Sequence, residues 1–526
     1  MIGGGTAGCV LANRLSENSS NKVLLLEAGQ KQLNPLLHIP GGYFKTIFDK
    51  RINWNYKTHP EKNLDGREIL WPRGRLLGGT GSINGMVYIR GQEDDYNTWK
   101  SLGNSEWGFE SVLPYFKKSE KQHKKNIALN NKFHSSSGSL SITDYPDKNF
   151  LCDAFIKASE ELNVKRNIDF NGATQEGAGY YQITTNNWFR SDTLAAYLLP
   201  VKKRPNLKIL TDAHITKIII KDKRAVGVEC LYSNKLINLK SNKEVILCAG
   251  TINSPQILQL SGIGDAEYLK THGIEPVCNS PEVGKNLQDH LQCQLVYKCA
   301  QPISINDDLL SFFRKLKLAF RYVLFHTGPL AGGPSPAGAF LKSSSTTNRP
   351  DIQLHFLPLS LQRPGVLDTF SGYTFNVSQS RPLSRGEINI ISPHPSDPPK
   401  IVANYLEDPS DKLTLINGMN VARDIANATA FDQFRNSEIR PGGLISSYDG
   451  MLEYVRQNST SLYHPVGTCR MGLEDTAVVD QNLKVKGING LRVADASIMP
   501  QIISGNTNAA TVMIAEKAAD LIKLSK

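Results

Sequence analysis

No stretch of this 526-residue chain reaches the run of about eighteen apolar residues that a membrane-spanning helix needs, and no basic segment leading into an apolar one opens it. The predicted location is cytoplasmic, with a peripheral contact to an anionic membrane surface left open. The eight cysteines contain no CxxC pair, and a disulfide framework would be unusual in a chain this long, so a reducing compartment is expected. No His, Cys or carboxylate cluster has ligand spacing, so no metal is expected. Lys plus Arg number 60 against 49 Asp plus Glu, but the excess is spread along the chain. The densest basic stretch, Lys117 to Lys125, has no interleaved aromatics, which argues against a nucleic-acid partner.

What remains is a chain with 40% hydrophobic and 21% charged residues, able to bury a large core in about two to four domains, or in two interleaved ones. Its opening, MIGGGTAGCVLANRLSENSSNKVLLLEAG, sets Gly3, Gly5 and Gly8 in GxGxxG spacing. A helical pattern follows (Val10, Leu11, Leu15), then a strand (Val23 to Leu26) ending at Glu27, nineteen residues after Gly8. In a dinucleotide fold the first glycine turns the chain, the second admits a pyrophosphate, and the third lets helix and strand pack closely. The helix N-terminus then offers free N–H groups to phosphate, and Glu27 accepts from the adenosine ribose. The plain alternative is a glycine-rich turn of any α/β protein. Only Met1 and Ile2 precede Gly3, whereas a central strand is about five residues long, so the glycine turn is expected to be poorly anchored.

Further along, Gly78, Gly79 and Gly81 form a loop able to lie flat against a ring system, with Ser82 and Asn84 for polar contacts and an apolar run from Met86 to Ile89. EVILCAGTINSPQILQLSGIG reads as a buried strand from Val245 to Cys248, a turn at Gly250 and a helix from about Ser254. HITKIIIKDKRAVGVECLY alternates like an antiparallel hairpin, in which Ile215 reads as an ordinary core residue. In DLLSFFRKLKLAFRYVLFH, the residues Leu309, Phe312, Phe313, Leu316 and Phe320 recur at helical spacing, and core packing is the expected use of that stripe. The C-terminal part carries YHPVGTCRMG, VADAS and a helical run with Val512, Ala515, Ala519 and Ile522. There His464 precedes a proline, and Asn506 competes with Thr507 and Asn508 to cap the helix.

By WPRGRLLGGTGSINGMVYIRG and GTINSPQILQLSGIG, with the opening loop and the C-terminal segments, the chain resembles the glucose-methanol-choline oxidoreductase family over nearly its whole length. It looks most like the bacterial choline dehydrogenase and alcohol dehydrogenase branch. The resemblance implies an α/β fold: a Rossmann-like FAD-binding domain (1–299 and 460–526) interleaved with a substrate-binding domain (300–459) built on an antiparallel sheet with helices. Gly79, Asn84, Asp495 and, against the adenine, Ile215 would join Gly3, Gly5, Gly8 and Glu27 at the cofactor. Relatives that tether the flavin use a histidine where Ile83 stands, so FAD is expected to be noncovalent. His464 would take the substrate hydroxyl proton, a task suited to a group titrating near working pH, while Asn506 donates a hydrogen bond and the hydride passes to flavin N5. The expected reaction converts a primary alcohol to an aldehyde. Choline is one candidate, and the electron acceptor is left open among a quinone, a soluble carrier and oxygen. A flavin-containing lyase and a non-catalytic FAD-binding protein share the scaffold.

Overall fold

The computed structural model describes residues 1–124, 127 and 130–525. Lys125, at the end of the basic stretch, lies outside them.

One layer is a parallel sheet. Val23–Leu26 pairs with Leu207–Leu210, and Val245–Leu247 pairs with Leu491–Val493, all in parallel. Ile2 joins the two pairs by bridging Leu26 on one side and Leu247 on the other. Met1 to Gly3 thus lie centrally, and the glycine turn is better anchored than expected. Ile2 N–H donates to the Ile246 carbonyl at 2.9 Å, Cys248 N–H to Ile2 at 2.7 Å, and Gly3 N–H to Leu26 at 2.8 Å. The first helix, Thr6–Leu15, packs on the C-terminal helix, Asn508–Leu524. A Cβ at Gly8 would fall 1.9 Å from the Gly3 carbonyl oxygen, so only glycine lets that helix approach the turn this closely.

The second layer is antiparallel, in the order Arg435–Arg440, Leu291–Cys299, Gly372–Gln379, Ile352–Leu357, Ala337–Leu341 and Gly177–Tyr180. Thr460–Ser461 pairs with the start of Leu291–Cys299. The sheet therefore draws on segments before 300 and after 459. Helices Phe150–Glu161 and Pro409–Asn427 contribute to its core, where Phe155, Phe356, Tyr373, Phe375 and Phe431 stack on one another. Burial of such aromatic clusters is the dominant favourable contribution here, since apolar burial contributes about 25 cal/mol per Å².

Local readings fared unevenly. The hairpin is present as Ala213–Lys221 against Arg224–Tyr232. The second glycine-turn helix starts at Gly250 rather than near Ser254: Gly250 makes the turn at φ +81°, and Asp495 holds the first turn by accepting from Gly250 N–H and the Ser254 hydroxyl. The expected core packing of the Leu309 to Phe320 stripe is largely overturned. Ser311 caps a new helix, Phe312–Phe325, whose Leu318 and Tyr322 are buried. Phe312, Phe313, Leu316 and Phe320 are between 53% and 81% exposed, and only Leu309 joins a core cluster. A 3.6-residue period marks an apolar stripe but not what covers it.

Candidate active site

A cavity of about 680 Å³ runs between the two layers, lined at one end by Gly3, Gly5 and Glu27 and at the other by His464, Asn506 and His355. Three helices begin on its wall: Thr6–Leu15, Gly250–Leu260 and Asn508–Leu524. The first and last of these have no side-chain cap on their first turn, so their free N–H groups and positive dipole ends are left for an anionic guest. A Cβ at Gly250 would enter open space, whereas at Gly79 (φ +56°) it would fall 2.7 Å from the Gly5 Cα. The two glycine loops thus touch and frame one slot.

Each residue expected at the cofactor, apart from Gly8 behind the turn, lines this cavity. Glu27 accepts from Gly4 N–H and Gly29 N–H, both at 2.8 Å, and burial pushes its pKa up to about 7. It holds the glycine turn as well as facing the slot. Asn84 accepts from Met86 N–H at 3.0 Å and from Arg190 at 2.8 Å through Oδ1, and its amide nitrogen has no partner among the described residues. Ile215 is both a buried strand residue and part of the lining. Asp495 is more committed than expected: it accepts from Gly250 N–H (2.9 Å), the Ser254 hydroxyl (2.6 Å) and Ser497 N–H (2.8 Å), so it pins the second glycine turn.

At the other end a β-ladder brings His290 and His464 together. Leu291 pairs with Ser461 and Gln292 with Thr460, and Leu462 N–H donates to His290 at 2.8 Å, which brings two segments 174 residues apart side by side. The chain then turns through Tyr463 in the left-handed region (φ +67°), a conformation non-glycine residues avoid unless neighbours impose it. Asp289 imposes it, accepting from His464 N–H at 2.7 Å and from the Ser461 and Tyr405 hydroxyls. Burial is the main influence raising the Asp289 pKa.

The side chains then fix a tautomer. Nε2 of His290 lies 2.9 Å from the Ser380 carbonyl oxygen, which can only accept, so that nitrogen carries the proton. Burial holds the His290 pKa down at about 4, so the ring is neutral and its Nδ1 is bare. His464 Nδ1 sits 3.0 Å from it and must donate. Nε2 of His464 is consequently an acceptor, and Asn506 Nδ2 donates to it at 3.1 Å. The Asn506 amide is oriented by Gln353, whose Nε2 lies 3.4 Å from its oxygen. Burial first, then neighbouring His290, His355 and Arg73, holds the His464 pKa well below the ordinary imidazole value. Thr507, not Asn506, occupies the N-cap position of the last helix.

His290, His355 and Arg73 were not singled out from the sequence. His355 offered one signal: it is a polar residue inside the fully buried strand Ile352–Leu357, and its Nδ1 finds no partner among the described residues. Arg73 donates to the Tyr463 carbonyl at 2.7 Å, its buried Nε has no partner among the described residues, and burial brings its pKa only to about 10, so it stays cationic.

The family model described as GMC oxidoreductase matches residues 1–292 with its N-terminal part and 382–515 with its C-terminal part. The chain belongs to the GMC oxidoreductase family. Its cofactor is FAD, which the slot, the two uncapped helix ends and the touching glycine loops fit. The chain is 43% identical to an alcohol dehydrogenase [acceptor] of Pseudomonas putida, covering 99% of this chain and 95% of that one. It is 38% identical to an oxygen-dependent choline dehydrogenase of Brucella anthropi, covering 99% and 94%. Among solved structures it is similar to pyridoxine 4-oxidase from Mesorbium loti, with a TM-score of 0.89 at 28% identity over 99% of this chain and 97% of that one.

Proposed function

We propose that this GMC oxidoreductase oxidises a neutral primary alcohol to its aldehyde, with His464 as the base and Asn506 as a donor to the alcohol oxygen. The observation that carries this reading is the bare Nε2 of His464, held toward Asn506 by the Ser380, His290 and His464 chain. Gly3, Gly5, Gly8 and Glu27 would hold the adenosine diphosphate end of the cofactor, Ile215 the adenine, and Gly79 and Asn84 the flavin. Bound FAD supplies the acceptor for the hydride that leaves the carbinol carbon.

His464 Nε2 takes the hydroxyl proton as that hydride departs, so the C–O single bond becomes the carbonyl of the aldehyde. Asn506, its oxygen engaged by Gln353, presents N–H groups to the oxygen as it gains charge. Arg73 adds positive charge beside Tyr463 and favours the same developing anion.

That charge also bears on the substrate. The acidic residues lining the cavity among the described residues are Glu27, Glu68 and Asp495. Glu27 and Asp495 are bound to the glycine turns, and Glu68 is exposed and paired with Lys57 at 3.0 Å. Asp289, the carboxylate beside His464 and Arg73, is bound by three donors and does not line the cavity, and no other described carboxylate there is uncommitted, so a quaternary ammonium has no counter-charge. Adding neutral primary alcohols to the anaerobic yellow protein should bleach it, and choline at equal concentration should bleach it more slowly. Faster bleaching by choline would overturn the neutral-substrate reading. Bleaching by neither would overturn the alcohol chemistry.

A further inference from the structure

We infer that the helix Phe312–Phe325 docks this protein onto an anionic phospholipid bilayer. The helix has two opposed apolar faces. Leu318 and Tyr322 are its buried residues. At about 100° per residue, Phe312, Phe313, Leu316, Phe320, Val323 and Leu324 fall on an arc of roughly 120° pointing away from them. All six are between 53% and 81% exposed. An apolar arc this wide, directed off the protein, is not accounted for by core packing.

Charge identifies what covers it. The helix carries Arg314, Lys315, Lys317 and Arg321 and no acidic residue. Arg314, Lys317 and Arg321 follow one edge of the apolar arc, and Lys315 lies beyond the other, as in helices that lie in a headgroup layer. Asp308 approaches Arg314 at 3.8 Å and Asp147 pairs with Arg321 at 2.9 Å, while Lys315 and Lys317 have no ion-pair partner among the described residues. The neighbouring hairpin Thr185–Arg190 extends the surface. Its Trp188 carbonyl accepts from the Tyr322 hydroxyl at 3.1 Å, and Trp188 and Phe189 are 37% and 45% exposed, an aromatic pair suited to a membrane interface. No helix among the described residues is long and apolar enough to cross a membrane, so this one lies on it.

Packed elements link this face to the cavity wall. The turn Pro329–Ala331 that follows the helix packs on Pro40–Gly42, which leads into Tyr43, Phe44, Ile47 and Phe48 on the cavity wall. On the other side Leu309 packs with Phe44, Leu357 and Leu361, which also line it. Apolar side chains thus connect the docking face to the cavity wall.

The test uses the full-length FAD-loaded protein and vesicles of phosphatidylcholine alone or mixed with phosphatidylglycerol. Wild type should co-sediment with the anionic vesicles and less so in high salt. Phe313→Glu with Phe320→Glu should lower the bound fraction about tenfold or more, and Lys315→Glu with Lys317→Glu should remove the preference for anionic lipid. Both double variants should keep FAD content and be reduced by a short soluble alcohol at the wild-type rate, which separates docking from folding and chemistry. Absent binding to anionic vesicles, or equal binding by the phenylalanine variant, would overturn the inference. So would a dimer in sedimentation velocity that the same substitutions dissolve, since a second copy would then cover the face. Bleaching by alcohol does not depend on vesicles, so the two readings fail separately.

Discussion

Replacing His290 with phenylalanine tests the tautomer argument without touching a group that meets substrate. The ring of His290 accepts from His464 Nδ1–H at 3.0 Å and donates to the Ser380 carbonyl at 2.9 Å. In His290→Phe the donor on His464 is buried without a partner, which costs about 1 to 3 kcal/mol. The imidazole escapes that cost by moving its proton to Nε2, and then it cannot act as base. By either route the alcohol-bound state loses that energy, and at about 1.4 kcal/mol per tenfold the rate of flavin reduction should fall roughly 5- to 150-fold. His290→Gln should recover most of the loss, because a side-chain amide can donate to Ser380 and accept from His464. Anaerobic stopped-flow reduction measures both variants, with FAD occupancy read from the visible absorbance. Wild-type reduction by His290→Phe, or a glutamine variant no better than the phenylalanine one at equal FAD content, would refute the reasoning.

Acid should destabilise the fold early, because His290 and His355 are buried as neutral rings with pKa values lowered to about 4. A depressed histidine pKa means the unfolded chain binds the extra proton, so this stability is intact above 6.5 and is lost as pH falls from 6.5 toward 4. Each ring loses roughly 3 kcal/mol over that interval, and denaturant titrations of His355→Gln should show a shallower acid decline than wild type. His464→Ala should slow reduction by alcohol about 10²- to 10⁴-fold with FAD still bound, and Asn506→Ala by less, since one neutral hydrogen bond contributes about 0.5 to 1.5 kcal/mol. Equal losses in the two would contradict the assigned roles. The acid limb of the reduction rate should lie below pH 6.5, the direction in which burial moves His464. Acid precipitation should release the yellow colour into the supernatant, as Ile83 offers no tether, and colour held in the pellet would show a covalent flavin.

Much of the candidate site was legible in the sequence because its signals are local. The spacing of Gly3, Gly5 and Gly8, the strand ending at Glu27 and the second turn at Gly250 each specify backbone geometry within a few dozen residues, and the cofactor slot follows from that geometry. His464 and Asn506 were found through motifs around them, and the fold brings them to 3.1 Å. What tertiary structure alone decided is the state and surroundings of these groups. His290 becomes the partner of His464 only because a strand pairing closes a separation of 174 residues, and the tautomer follows from a third segment, at Ser380. Asp495 turned out to pin a glycine loop for the same reason: its three donors come from Gly250, Ser254 and Ser497. The helix Phe312–Phe325 shows the limit most directly. Its apolar period was plain in the sequence, but periodicity is a property of one helix and burial a property of two surfaces, so only the packed fold shows which apolar face is covered and which is left outside.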